Sequence, residues 1–120
     1  MRAAIVGVFL VCLAGCSGAN STPAPVAGRV IYRGYGVRGG MVAFTPDKER
    51  GYQGAGASVK LNVDGSFRMP NGGLVPGWYR ITVASLEMGI PAKYRDPDHG
   101  NLVREVVAGK DNVWDIVLED

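Results

Sequence analysis

From Val26 onward, apolar and polar residues alternate in short runs broken by glycine and proline, and no stretch keeps a helical period for three turns. The pattern predicts strands over residues 26–33, 40–45, 57–63, 66–69, 78–86, 102–107 and 112–118. Val30 and Tyr32 fall on one face of the first, and Val42 and Phe44 on one face of the second. Ala57, Val59, Leu61 and Val63 share a face opposite Lys60 and Asn62. Tyr79, Ile81 and Val83 alternate with Trp78, Arg80 and Thr82. Trp114, Ile116 and Leu118 alternate with Val113, Asp115 and Val117. One apolar and one mixed face per strand predicts antiparallel sheets packed as a sandwich.

The turn residues agree with this reading. Val63-Asp64-Gly65-Ser66 carries an Asp-Gly hairpin signal between two apolar runs. Asn71-Gly72-Gly73 and Pro76-Gly77 bracket Leu74-Val75 as a tight connection. Residues 108–112 predict a hairpin between the last two strands, with Gly109 where a positive φ is needed. The expected fold class is therefore all-β, a seven-stranded antiparallel Greek-key sandwich over residues 26–120.

The first fifteen residues do not belong to that pattern. Arg2 precedes an uncharged run, residues 3–14, whose centre Ile5-Val6-Gly7-Val8-Phe9-Leu10-Val11 is mostly large and apolar. A spanning helix needs about 20 apolar residues, so this run fits the apolar region of an export signal. It has no polar face with which to serve as a buried surface helix. Leu13-Ala14-Gly15-Cys16 follows and resembles the lipobox of bacterial lipoproteins. That resemblance implies cleavage between Gly15 and Cys16 and a diacylglyceryl thioether on Cys16, the one good nucleophile there. Two or three acyl chains exceed what stable anchoring requires. Residues 17–25, small, polar and proline-containing, read as a flexible linker reaching at most about 30 Å. The expected site is the cell envelope, on the extracytoplasmic side of a membrane, which in a Gram-negative cell means the outer membrane or the periplasmic face. Membrane lipid is then a partner through Cys16.

Charge and cysteine content narrow the functions further. The whole chain has 13 basic and 11 acidic residues. Loss of residues 1–15 removes only Arg2, leaving scattered, balanced charge and no nucleic-acid footprint. Cys12 would leave with the signal, so the mature domain has no cysteine pair and must be stabilised by packing and sheet hydrogen bonds.

The order of segments is also similar to a known domain. Gly28-Arg29-Val30-Ile31-Tyr32, residues 37–44, residues 63–67, residues 74–83 and residues 106–112 resemble, in order and spacing, the carboxypeptidase regulatory-like domains. The resemblance implies a transthyretin-like (prealbumin-like) β-sandwich. It brings no catalytic residues, because that domain is an accessory module. With Lys93-Tyr94-Arg95-Asp96-Pro97, the layout is similar to short lipoproteins abundant in planctomycete-like bacteria.

Candidate chemistry is sparse. His99 is the single histidine, and with Asp96 and Asp98 it makes a short metal-ligand-like cluster that lacks a spaced fourth partner. A polar loop with an Asp-Pro turn explains it more simply. Residues 62–66 resemble the start of a calcium loop, but counting from Asn62 puts Gly73 where the bidentate glutamate belongs. Trp78, Tyr35 and Tyr52 are candidates for stacking on sugar rings, set against cross-strand packing. Val103, Val107, Val113 and Val117 fall on the non-core face of the last two strands and would form an apolar stripe if those strands lay side by side. The leading expectation is a non-enzymatic structural or binding module with no cofactor beyond the lipid on Cys16. Its partner would be an envelope protein or polysaccharide. A carbohydrate-binding module is the alternative, and an enzyme using Asp96, Asp98 and His99 the least favoured.

Overall fold

Tyr79, Ile81 and Val83 are buried, while Trp78, Arg80, Thr82 and Ala84 between them point to the opposite face, as the period of two requires. The structure is a computed structural model that describes residues 22–51 and 54–120. The proposed leader, Gly15, Cys16 and Tyr52 lie outside the described residues.

The strands are β1 (Val26–Tyr32), β2 (Tyr35–Gly36), β3 (Gly40–Pro46), β4 (Ala57–Lys60), β5 (Ser66–Arg68), β6 (Gly77–Ser85), β7 (Val103–Val106) and β8 (Asn112–Leu118), with 3₁₀ turns at Lys48–Arg50 and Ala92–Arg95. They form two four-stranded sheets. In the first, β8 runs parallel to β1 along its whole length, from Val26↔Asn112 to Tyr32↔Leu118. The other edge of β1 is shared by β5, through Ala27↔Arg68, and β2, through Ile31↔Gly36. The second sheet has the order β4-β3-β6-β7 and is antiparallel throughout. The all-β sandwich is thus present, but the purely antiparallel expectation is corrected by β1 and β8. A two-residue strand, too short to show alternation, also brings the described strands to eight.

The core lies between the sheets. Phe44 of the second sheet stands 5.9 Å, ring centroid to centroid, from both Phe67 and Trp114 of the first, and 6.2 Å from Tyr79 in its own sheet. Val26, Val30, Ile116, Val42, Ile81 and Val106 complete it. Such an interior is stabilised chiefly by apolar area removed from water, at about 25 cal/mol per Å².

Both predicted hairpins prove to be crossings between sheets. β4 belongs to the second sheet and β5 to the first, so residues 61–65 carry the chain across. The turn closes from Gly65 N–H to the Asn62 carbonyl at 2.9 Å, and Asp64 accepts from the Ser66 amide at 2.9 Å and hydroxyl at 2.6 Å. Strand β4 therefore ends at Lys60, and Val63, expected on the core face, is 85% exposed at the tip of the turn. Gly65 sits at φ +85° against β1. A Cβ there would lie 2.5 Å from the Val30 carbonyl oxygen, so no side chain fits.

Residues 107–111 likewise cross from β7 to β8, and Gly109 has the positive φ expected, +75°. Val103 and Val107 consequently lie on the second-sheet side and Val113 and Val117 on the first-sheet side, so the four do not form one stripe. Ala24 and Pro25, read above as the end of a linker, are docked. Ala24 is buried and exchanges two backbone hydrogen bonds with Leu74, and the Pro25 carbonyl accepts from Asn112.

Candidate functional site

The outer face of the second sheet carries the one dense polar cluster among the described residues in which a carboxylate is fully buried. Strand β3 ends at Pro46, and Asp47 follows as the N-cap of the 3₁₀ turn, its Oδ1 accepting from the Glu49 amide at 3.1 Å. The Asp47 amide donates to the Trp78 carbonyl at 2.9 Å, which continues the pairing of β3 with β6 by one residue. This geometry pushes the Asp47 side chain beneath the turn, where it is 1% exposed. Arg80 projects from β6 two residues beyond Trp78 on the same outward face. Its Nε lies 3.3 Å from Asp47 Oδ1, and Arg50 Nη1 donates to Asp47 Oδ2 at 2.5 Å.

Arg80 then reaches two more segments. Nη2 donates to Glu49 Oε1 at 2.7 Å, and Nη1 donates to Asp98 Oδ1 at 2.8 Å. One guanidinium, 18% exposed, therefore binds carboxylates from three positions and ties both the 3₁₀ turn and the 96–101 loop to the sheet. Arg50 also lies over the Trp78 ring, 5.3 Å from guanidinium carbon to centroid. Burial alone would push the Asp47 carboxyl up. The Arg50 hydrogen bond, the Arg80 charge and the Glu49 amide outweigh it, and the group sits below the usual carboxylate range.

The second loop is set by the 3₁₀ turn Ala92–Arg95, whose buried Tyr94 hydroxyl accepts from the Glu119 amide at 2.7 Å. Asp96 then organises the bend. Its Oδ1 accepts from the Asp98 amide at 2.9 Å, its Oδ2 lies 2.5 Å from His99 Nδ1, and its carbonyl accepts from the His99 and Gly100 amides. The Asp98 amide first, and the His99 ring second, hold the Asp96 carboxyl below its ordinary range. Between this loop and the Lys48–Arg50 turn is an open concavity of about 470 Å³, floored by Arg80 and bounded by Glu49, Arg50, Asp98 and Asn101, with Pro97 and Val103 as its apolar wall.

The sequence-predicted candidates are thus partly brought together. Asp98 faces Arg80, while Asp96 and His99 pair with each other, so the three do not converge as a ligand set. Among the described residues, no group of three His, Cys, Asp or Glu side chains is placed to hold a metal. Trp78 is half-buried beneath Arg50, and Tyr35 is exposed on β2 of the other sheet, so these two aromatics make no shared platform. Asp47, Glu49, Arg50, Arg80 and Asn101 were not singled out from sequence. A signal for one of them was present: Pro46-Asp47 followed by a short charged stretch is the pattern of a capped turn.

The fold defines the class of protein, an all-β sandwich domain. No protein-family model matches the chain, and no match is found among curated proteins. Among solved structures, a DUF3823 family protein from Bacteroides ovatus ATCC 8483 is similar over 80% of this chain and 44% of its own, at 21% identity and a TM-score of 0.51. The chain spans less than half the length of that protein. The dioxygenase domain of a dioxygenase carbohydrate-binding protein fusion from the cellulolytic bacterium Streptomyces sp. SirexAA-E is similar over 86% of this chain and 83% of its own, at 20% identity and a TM-score of 0.47. At these identities the likeness is one of fold.

Proposed function

We propose that the chain is a lipid-anchored module of the bacterial cell envelope, held on the extracytoplasmic side of a membrane and acting by binding or as structure rather than by catalysis. The observation that carries the reading is Leu13-Ala14-Gly15-Cys16, placed directly after a charged start and an apolar run and six residues before Thr22. Residues 16–21 reach at most about 20 Å, so the sandwich would be held close to the bilayer. A transthyretin-like, Greek-key domain of the carboxypeptidase regulatory-like type is the finer form of this reading, supported by the segment order set out above. Mass spectrometry of the protein extracted from membranes tests the anchor. The expected mature chain begins at Cys16 and carries a diacylglyceryl thioether. An unmodified Cys16, or cleavage elsewhere, overturns it. A hydrolytic activity lost in His99→Ala would overturn the non-enzymatic part.

A second reading, a carbohydrate-binding module, is favoured by one observation, the polar concavity floored by Arg80. Its two guanidiniums and the Glu49 and Asp98 carboxylates are held by ion pairs before any ligand arrives, which is what a selective small-molecule site requires. Its test is binding of the mature protein to defined glycans.

A further inference from the structure

We propose that the concavity floored by Arg80 binds a neutral, vicinal-diol-bearing ligand, a saccharide, through Arg80, Glu49, Asp98 and Asn101. The proposal rests on the carbohydrate-binding reading and assigns that reading a site and a ligand chemistry.

The starting point is Asp47. A carboxylate taken out of water on the outer side of a sheet is costly unless it is paired and hydrogen-bonded, and a buried ion pair is weak evidence of net stabilisation. What Asp47 does achieve is positional. It fixes two guanidiniums, Arg80 at 3.3 Å in the floor of the concavity and Arg50 at 2.5 Å on one wall. The opposite wall is equally constrained, because the Asp96 carboxylate receives the amide of Asp98 at 2.9 Å and holds the bend that presents Asp98.

Charge then selects the ligand class. Two cations and three anions alternate within hydrogen-bond distance of one another. A cation entering the cup meets the Arg80 guanidinium between the carboxylates, and an anion meets Glu49 or Asp98. A vicinal diol meets neither obstacle, since each hydroxyl both donates and accepts. It can donate to a carboxylate and accept from a guanidinium or amide next to it. Glu49 Oε2 and Asp98 Oδ2 have no hydrogen-bond partner among the described residues, and the two side chains are 80% and 74% exposed. Acceptors are therefore open at the rim of a floor that is already fixed. Pro97 and Val103 also line the concavity. The volume, about 470 Å³, lies within the range of about 300–1,000 Å³ typical of small-molecule sites.

The test is a glycan array carrying 1,4-linked glucans, xylans and mannans, each neutral and with a free 2,3-diol on its rings, probed with the detergent-solubilised mature protein. Affinity for the strongest glycan is then measured by calorimetry for Asp98→Ala, Glu49→Ala and, on the other sheet, Val113→Ser. The expected result is binding that falls at least tenfold in each of the first two variants and is unchanged in the third, with all three melting within a few degrees of the parent. Glycan binding that survives both Asp98→Ala and Glu49→Ala overturns this site while leaving the carbohydrate reading standing. No binding to any of these glycans overturns both.

Discussion

Arg80 Nε lies 3.3 Å from Asp47 Oδ1, and this contact joins a fully buried carboxylate to a guanidinium that also holds Glu49 and Asp98. Removing the anion leaves two arginines without their shared partner. Arg80 keeps Glu49 and Asp98, and Arg50 is partly exposed, so the loss is that of charge-assisted hydrogen bonds, about 1.5–3 kcal/mol. Asp47→Ala is therefore expected to lower unfolding free energy by about that amount in urea titration. It should also raise protease sensitivity in the 47–51 and 96–101 segments, which the network ties down. A loss below about 0.5 kcal/mol would show that the network does not support the fold.

Four depressed carboxyls, one of them Asp47, set a pH dependence. Asp47 lies below the usual carboxylate range, its burial outweighed by Arg50, Arg80 and the Glu49 amide. Asp64 is lowered by the Ser66 hydroxyl and amide, and Asp96 by the Asp98 amide and His99. Asp120 is lowered by the Tyr32 hydroxyl and Arg33. Each folded-state value is depressed, so between it and the unfolded value near 3.9 the unfolded chain binds more protons and stability rises with pH. This contribution is complete above about pH 5 and is lost as pH falls through the folded values. Urea midpoints should fall steadily from pH 5 toward pH 2, with a shallower fall in Asp47→Asn. Equal slopes in the two proteins would exclude Asp47 as a contributor.

Asn112 is the second buried polar side chain of the described core. Its Oδ1 accepts from the Val107 amide at 2.9 Å, and its Nδ2 faces the carbonyls of Pro25, Val107 and Lys110 at 3.1, 3.2 and 3.1 Å. It therefore fastens the start of β1 to the crossing between β7 and β8. Asn112→Ala orphans these buried groups and is expected to cost about 2–3 kcal/mol. Asn112→Asp keeps the acceptor but loses the donor and buries a charge, so it should be no milder. Chemical denaturation of both variants checks the order.

The 61–65 crossing makes two contrasting predictions. Val63, although apolar, is exposed at the turn tip, and Val63→Thr should change stability by no more than about 0.5 kcal/mol. Gly65→Ala meets both the positive φ and the Val30 carbonyl, and should cost about 2 kcal/mol or more. Thermal melts of the two variants separate these outcomes. A destabilised Val63→Thr would mean that Val63 packs inward after all.

Much of the sandwich was legible along the chain, because a strand facing a core must alternate with period two. The buried sets Tyr79, Ile81, Val83 and Ile116, Leu118 show that alternation directly in residue type. The extended reach of the third strand failed at Val63 for a local reason. Asn62-Val63-Asp64-Gly65 closes a turn whose Asx hydrogen bonds override an apolar side chain's preference for the interior. The site was less legible than the fold. Asp47 and Arg80 are 33 residues apart and ordinary in type, and their pairing exists only because β3 and β6 are neighbours in register.

The sequence alone determined the all-β class, the inward faces of most strands, the glycine at 109 and a Leu-Ala-Gly-Cys stretch ending at Cys16 that resembles a lipobox. These depend on local periodicity, backbone sterics and short motifs. Only the tertiary structure decided which strands pair. It made β1 and β8 parallel and turned two expected hairpins into crossings between sheets. It also divided Val103 and Val107 from Val113 and Val117, and enclosed Asp47 beneath Arg80 and Arg50. The physical reason is that pairing is settled by the mutual burial of two whole apolar faces. An alternating strand encodes one face of that contact but not the identity of its partner.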